Sequence, residues 1–491
     1  MSRELRSLVA VGDVLRSADL LLESRGAEDV DVMGVAQDSR VVGRGDLFLA
    51  WLGSDQDAHD YVAHAQAAGA VAAVVERPVD VDIPQLVVSD GRRAAALVAA
   101  GVMGFPSDVL TAVGITGTNG KTTTTLLLRD LLSTRMKAAA IGTLGLVDDD
   151  GARPGSEALT TPGPVQIARW LRELVDEGFE AVVLEASSHA LAQKRLDGTA
   201  FDVAVFTNLS QDHLDYHGDL EAYRAAKVRL VELVVPEGTV VVNRDEPAWD
   251  TLQAPGRHTL TYGVGRDAQV RATDLDFDSA GSSFTLRIGG EARALRLPLA
   301  GRFNVENALA AASAASVVGL ALDEIAEGLG RAKQIPGRME VVRSSPFTVL
   351  IDFAHTPAAL EGLLRTVRPL TAGRLIVLFG AGGERDRRKR HPMAEVVAEV
   401  ADVVVLTSDN PRTEDPERIL DDLQAGLGGR SHERITDRRK AIRRAMELAR
   451  PGDTVVLAGK GHERYQVVGR EKHPLDERLV VTDALADLGV E

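Results

Sequence analysis

The chain has no cysteine, which excludes disulfides, thiolate metal sites and cysteine nucleophiles. Aromatic residues make up only 4% of it, too few to expect stacking platforms for single-stranded nucleic acid. Long apolar runs are missing too. The longest small-apolar stretch, Ala308–Leu322, is interrupted by Ser313 and Ser316 and is too short to cross a bilayer. Arg3, Glu4, Arg6 and Asp13 break up the N-terminal stretch, so no signal-peptide core is expected and the cytoplasm is the expected compartment. Positive charge is the minority sign. With 56 Lys and Arg against 72 Asp and Glu the net charge is −16, which works against nucleic-acid and anionic-membrane partners. Anionic substrates would need local basic pockets.

What the chain does have is 491 residues, 45% of them apolar. That is ordinary soluble material, and too long for a single core. Its organising stretch is Ile115–Thr125, Ile-Thr-Gly-Thr-Asn-Gly-Lys-Thr-Thr-Thr-Thr. The apolar run Val109–Ile115 predicts a strand before it. A helix from Lys121 to about Arg135 is predicted after it, with Leu127, Leu128, Leu131 and Leu132 on one face. Strand, glycine loop and a helix opening on Lys-Thr form the layout of a phosphate-binding loop, although the spacing departs from the strict G-x-x-x-x-G-K-[ST] form. Lys121 would reach the β- and γ-phosphates, and the hydroxyl of Thr122 or Thr123 would ligate Mg²⁺.

Residues 1–107 read as a small α/β domain, in which Asp38-Ser39-Arg40 is a weak signal on its own. Residues 108–335 form the second segment. There the strand Ala181–Leu184 runs into Glu185, and an acid at a strand's carboxyl end beside a phosphate loop suits Mg²⁺. The strand Val203–Thr207 runs into a stretch that packs Asp212, His213, Asp215 and His217 into six residues, favouring metal chemistry. Lys227, on the following helix, would by itself be read as a surface residue. Val270–Leu297 reads as two or three alternating strands with turns at Gly281 and Gly289-Gly290, a β-hairpin excursion, and Gln334–Arg338 as a linker. Residues 336–491 alternate strand and helix throughout, which implies a second, doubly wound parallel sheet. Its strand ends carry Asp352–Pro357, Gly380–Asp386, Asp409–Arg412 and Gly459–Glu463, four polar clusters expected to converge on one sheet edge. The basic run Arg385–Arg390 is open between a solvated helix start and an anion site.

Several of these stretches resemble the Mur ligases: Thr-Gly-Thr-Asn-Gly-Lys-Thr (116–122), Glu-Ala-Ser-Ser-His (185–189), Thr-Asn-Leu-Ser-Gln-Asp-His-Leu-Asp-Tyr-His (207–217), Ile-Pro-Gly-Arg (335–338) and Asp-Phe-Ala-His-Thr-Pro (352–357). Asp-Ser-Arg near the N-terminus, Thr160-Thr161-Pro162 and Gly-Lys-Gly-His-Glu (459–463) add to the likeness, which covers essentially the whole chain in order. The departures are small: Glu384 stands where the family usually has Asp, Ala186 where it has Val, and Ala58 near a usual Gly.

The resemblance implies an α/β protein of three domains: an N-terminal UDP-sugar-binding domain, a central P-loop-type mononucleotide-binding parallel sheet, and a C-terminal Rossmann-like doubly wound sheet. It implies an ATP-dependent amide ligase of peptidoglycan precursor synthesis, joining meso-diaminopimelate to UDP-N-acetylmuramoyl-L-alanyl-D-glutamate through an acyl phosphate. L-Lysine or L-ornithine is the alternative amino acid. Gly117, Thr118, Asn119, Gly120, Lys121, Thr122 and Thr123 would hold the ATP triphosphate, and Asn307, Arg338, Asp352 and His355 would complete that site. Ser39, Thr160, Thr161, Ser187, Gln193 and Arg195 would bind the UDP-MurNAc-dipeptide. Glu185 and His213 would ligate Mg²⁺, and Lys227 matches a lysine that the family carboxylates with CO₂. Arg385, Asp409, Asn410, Pro411, Arg412, Gly459 and Glu463 would bind the amino acid, Asp-Asn-Pro-Arg being the form associated with meso-diaminopimelate. A monomer acting on small molecules, with no nucleic-acid partner and no membrane insertion, is expected. Two other readings compete: a nucleotide switch that makes no bond, and a relative that adds glutamate to folate. Asp409–Arg412 and Thr160–Pro162 argue against the second.

Overall fold

In the computed structural model, residues 5–26, 29–53, 56–156 and 159–489 are described; Arg3 and Glu4 lie outside them. The described residues form three α/β units around three large sheets. The first sheet orders its strands Leu21–Arg25, Gln85–Val88, Ala72–Val75, Asp46–Leu49 and Gly34–Ala36. Its parallel strands are short and wholly apolar where both faces are covered, as in Ala72–Val75.

The central sheet has eleven strands among the described residues, with the phosphate-loop strand Thr111–Thr116 in its middle. That strand pairs in parallel with Ala181–Glu185 on one side and Phe201–Phe206 on the other, so Glu185 lies opposite Ile115 and Phe206 opposite Thr116. This register brings the three polar strand ends to one edge. The helix Lys121–Leu132 buries Leu127, Leu128, Leu131 and Leu132 as expected. It packs against the alanine-rich helix Arg302–Val318, whose small side chains let the two approach closely. The alternating strands expected over Val270–Leu297 are three, Val270–Asp278, Gly281–Ile288 and Glu291–Leu297, and they continue the central sheet instead of standing apart as an excursion. The first of them joins it by parallel pairing with His258–Gly263. Both edges of this sheet are therefore antiparallel, around a parallel middle.

The third sheet orders Glu340–Arg343, Thr348–Asp352, Thr454–Ala458, Leu375–Phe379, Val403–Leu406 and Glu433–Arg434. All but the first pair in parallel. Thr454–Ala458, last of these strands in the chain, sits between the second and third. The four polar clusters thus leave adjacent strands on one edge. Beneath them Arg438 and Glu477, both with fully buried side chains, form an ion pair at 2.7 Å. Arg438 also donates to the carbonyls of Ser408 and Ala458, at 3.4 and 2.9 Å, tying two of those strand ends together from below.

Candidate active site

The phosphate loop is shaped by two glycines. Gly117 (φ +147°) has Thr207 Oγ1 1.8 Å from where a Cβ would lie, and Gly120 (φ +84°) has Asn307 Oδ1 2.2 Å from the same point. A side chain at either position would both strain the backbone and strike a neighbour. The second contact also places Asn307 against the loop, where the sequence expected it. Thr207 Oγ1 donates to Asn119 O at 2.7 Å, and Asn119 N donates to Asn208 Oδ1 at 2.9 Å. Tyr223 donates to Thr118 Oγ1 at 3.2 Å. The loop is thereby fixed from the end of the neighbouring strand.

Lys121 Nζ donates to the carbonyls of Gly117 and Thr118, both at 2.9 Å. Burial lowers its pKa, with Glu185 and Asp212 pulling the other way. Thr122 Oγ1 lies 3.1 Å from Glu185 Oε2, and Thr123 is buried one residue further on. Thr143, which the sequence reading did not single out, orients Glu185 through both its groups: N donates to Oε1 at 2.9 Å and Oγ1 to Oε2 at 3.1 Å. It also reaches Thr160 Oγ1 at 3.2 Å.

Arg338 Nη2 donates to Thr122 Oγ1 at 3.1 Å, across 216 positions of sequence. The linker reading of Gln334–Arg338 is overturned by this contact. Gly337 packs so closely on Gly461 and His462 that a Cβ would lie 2.2 Å from His462 N. The segment is a clasp between the central and third sheets, carrying a guanidinium that also lies over the Phe353 ring at 4.6 Å. Asp352, from the third sheet, accepts from Met339 N and Ala354 N at 2.7 Å each, and burial raises its pKa. Burial lowers the pKa of His355, whose Nδ1 donates to Phe353 O at 2.7 Å.

Asp212 joins these elements. It is 8% exposed and faces His213 at 3.4 Å, His355 at 3.9 Å and Lys389 at 3.9 Å. Burial opposes its ionisation, but His355, His213 and Lys389 hold its carboxyl below the ordinary range. His213 is itself lowered, chiefly by burial. Among the described residues no three His, Asp or Glu side chains are grouped to hold a metal. Of the expected ligands, Thr122 and Glu185 are in contact, His213 pairs with Asp212, and Lys227 bonds the phosphate loop. The surface reading of Lys227 is wrong: it is 1% exposed, donates to Gly117 O at 2.7 Å and lies over the Tyr223 ring at 4.4 Å.

The expected dipeptide-site residues gather on the other side of Glu185. Thr161 Oγ1 donates to Glu185 O at 2.6 Å and lies 3.0 Å from Ser187 Oγ. Arg195 donates to Thr161 O at 2.8 Å and to Gln193 Oε1 at 3.0 Å. Ser39 belongs to the first unit, buried, 3.3 Å from His64 Nδ1. Two residues earlier, Gln37 abuts Gly163 just past Thr161, so the first unit reaches this group.

On the third sheet, Asn410 and Glu463 are hydrogen-bonded at 2.9 Å, and both bond to the buried Lys460. Asp409 is buried against Gly459, where a Cβ would lie 2.6 Å from Oδ2, and that oxygen has no hydrogen-bond partner. Pro411 is buried and precedes Arg412, whose backbone is left-handed (φ +53°). The basic run divides. Arg387 and Arg390 pair with Glu414, Arg388 with Asp386, and Lys389 faces Asp212. Arg385 and Arg412 form no ion pair among the described residues, and Arg385 helps depress the half-buried Arg412 after burial itself. Asp212 was among the candidates of the sequence, whereas Lys389, Lys460 and Thr143 were given no role there. Lys389 and Lys460 carried a signal, since each sits inside a polar run already noted; Thr143 carried none.

A phosphate loop on one sheet facing the polar strand ends of another defines a class: enzymes that close over a nucleotide and a second substrate. Known proteins narrow it. Residues 31–115 match the Mur ligase family catalytic domain, residues 115–315 the Mur ligase middle domain, and residues 337–461 the Mur ligase glutamate ligase domain. The UDP-N-acetylmuramoyl-L-alanyl-D-glutamate–2,6-diaminopimelate ligase of Geobacillus kaustophilus is 42% identical over 470 residues, covering 94% of this chain and 96% of the relative. The ligase of the same name from Gloeobacter violaceus is 42% identical over 474 residues, covering 95% and 96%. A solved structure bearing that name is 36% identical, with a TM-score of 0.67 over 94% of this chain and 96% of the other. The MurF ligase of Thermotoga maritima, 19% identical, shares the fold at a TM-score of 0.65 over 93% and 97%. The chain belongs to the Mur ligase family.

Proposed function

We propose that the protein is the ATP-dependent ligase that joins meso-diaminopimelate to UDP-N-acetylmuramoyl-L-alanyl-D-glutamate, with domains at 1–107, 108–335 and 336–491. The observation that carries this reading is the pair Arg385 and Arg412. Two guanidiniums without a carboxylate partner stand beside Asp409, Asn410 and Glu463, and this suits an amino acid with a carboxylate and an ammonium at its far end. The names of the relatives agree with it.

The chemistry follows from the groups present. An oxygen of the D-glutamate γ-carboxylate attacks the γ-phosphorus of ATP, the bond to the β–γ bridging oxygen breaks, and ADP leaves an acyl phosphate. The amino group of the second substrate then adds to the acyl carbon. The tetrahedral intermediate expels phosphate and loses a proton, leaving the amide. Lys121, the backbone N–H groups of the loop and the helix N-terminus bind the triphosphate and offset its charge. Asn307, Arg338, Asp352 and His355 close the nucleotide site from a second direction. Arg338 reaching Thr122 supports a reaction centre completed by domain closure. Thr161, Ser187, Gln193, Arg195, Thr160 and Ser39 hold the dipeptide substrate.

The donor set fits Mg²⁺, a hard cation that binds few protein oxygens and completes its shell with phosphate and water. Thr122 and Glu185 would hold it, with His213 and a carbamylated Lys227 as further ligands. Mg²⁺ supplies neutralisation of phosphate charge when bound. A buried lysine that forms no ion pair among the described residues, with a pKa well below its ordinary value, suits conversion to a carbamate by CO₂. Use of ATP supports the cytoplasm as its compartment.

The test supplies ATP and UDP-N-acetylmuramoyl-L-alanyl-D-glutamate with meso-diaminopimelate, L-lysine or L-ornithine, measuring phosphate release and product mass. Phosphate release and a new amide with diaminopimelate alone are expected. ATP hydrolysis indifferent to both other substrates would overturn the ligase reading, and equal use of lysine would overturn the amino-acid assignment.

A further inference from the structure

We propose that Lys460 is a positioning residue for the amino-acid substrate. It anchors one oxygen of Glu463 together with the side chain of Asn410, so that the other Glu463 oxygen is presented to the incoming ammonium. The inference rests on the amino-acid site assigned above.

Lys460 is fully buried, an unusual place for a lysine unless it is paired. Its Nζ bonds Glu463 Oε2 at 2.5 Å and Asn410 Oδ1 at 2.8 Å. Asn410 Nδ2 donates to the same Glu463 oxygen at 2.9 Å, and Val467 N donates to Asn410 Oδ1, also at 2.9 Å. Oε2 therefore accepts two bonds and Asn410 Oδ1 two, whereas Glu463 Oε1 accepts none among the described residues. A carboxylate held by one oxygen, with the other left over, is oriented rather than merely neutralised. This triangle also crosses a strand. The strands before Asn410 and Lys460, Val403–Leu406 and Thr454–Ala458, are separated in the sheet by Leu375–Phe379. Gly380, which ends that middle strand, lets the loop fold over: a Cβ there would lie 2.2 Å from Thr407 O. Lys460 thus joins the two loops that carry the amino-acid residues, and without it Glu463 would have only Asn410 to fix it. A role in holding the fold would not distinguish among substrates. A role in presenting Glu463 affects one of the three.

The test compares Lys460→Met, Lys460→Gln, Glu463→Gln and the double variant Lys460→Met/Glu463→Gln in the full-length enzyme with all three substrates. The amino acid used is whichever one supports ligation by the wild type, so a wrong substrate assignment shows in the wild type and not in the variants. For Lys460→Met the KM for the amino acid is expected to rise at least ~10-fold, with the KM for ATP and for the UDP-dipeptide within about 2-fold. Lys460→Gln, which keeps a donor, should fall between Met and wild type. The double variant should be no worse than the worse single, because contacting residues acting in one pathway are not additive. Equal changes in all three KM values, additive losses, or failure of both Lys460 variants to fold while Glu463→Gln folds would each overturn the proposal.

Discussion

Lys121 and Lys227 donate to the same oxygen, the carbonyl of Gly117, at 2.9 and 2.7 Å. Two ammonium groups around one carbonyl repel each other, and burial removes the water that would screen them. Lys227 bears more of this cost: burial, then Lys121, brings its pKa well below the ordinary lysine value. Of the two, Lys227 is the better placed to give a neutral amine available for chemistry.

The first prediction concerns Lys227. A neutral amine adds CO₂, losing one proton, and becomes a carboxylate that attracts Lys121. Lys227→Ala should be nearly inactive and partly rescued by short carboxylic acids. Mass spectrometry under CO₂ should find one added CO₂ on the wild type and none on the variant. A free amine at full activity would refute the carbamate.

The second prediction concerns Lys121, which in the proposed reaction binds the phosphate charge as it moves in the transfer. Lys121→Ala should lower kcat/KM by at least ~10²-fold, the scale of losing one preorganised donor. Near-wild-type turnover in a folded variant would remove Lys121 from the phosphate site.

The loop carrying Arg385 makes a prediction about stability. Glu414 accepts from the buried Arg390 at 2.8 and 2.9 Å, and from Glu384 N at 3.2 Å. Arg390 is the main reason its carboxyl falls to about 2 from the ordinary 4.5. The folded-state pKa is depressed, so the stability this group contributes is complete above about 4.5 and lost as pH falls toward about 2. Glu414→Gln should cost roughly 2 kcal/mol near pH 7, as expected for hydrogen bonds to charged partners. The difference in urea midpoint between variant and wild type should shrink between pH 5 and 3, and a pH-independent gap would contradict it.

How far the sequence was legible depended on whether a signal was local. The strand ends of the third sheet were readable because strand–helix alternation forces their loops to one edge, as with the neighbouring strands Leu375–Phe379 and Thr454–Ala458. Ile335–Arg338 was misread because Pro-Gly is turn chemistry locally, while the partner that makes Arg338 part of the site, Thr122, is 216 residues away. Lys227 looked exposed because it follows Arg224 on a helix with polar residues. Its burial comes from the phosphate loop packed over it. Val270–Leu297 alternated correctly as strands, but alternation does not tell which neighbour a strand will pair with. Lys460 was hidden for the same reason, its two partners lying in different loops.

The last prediction is substrate choice, and it turns on Arg412. Its left-handed backbone is held by N donating to Val467 O at 3.1 Å and by Gly469 N donating to Arg412 O at 2.7 Å. The guanidinium donates to Gly383 O at 2.8 Å, which leaves most of its five donors for a ligand. Diaminopimelate differs from lysine by a carboxylate at the far end of the side chain, and a planar guanidinium can grip that group with two parallel bonds. With lysine bound, Arg412 would lose that partner while still half-buried beside Arg385. A hydrogen bond to a charged group contributes roughly 1.5–3 kcal/mol, and leaving the partner unpaired adds to the loss. Discrimination of at least ~10²-fold in kcat/KM follows, approaching ~10⁴ where a site is built around a polar substrate group. Arg412→Ala should lose most activity with diaminopimelate and change far less with lysine. Steady-state kinetics with both amino acids check this, and equal losses for the two would place the recognition of that carboxylate elsewhere, with Arg385 the next residue to substitute.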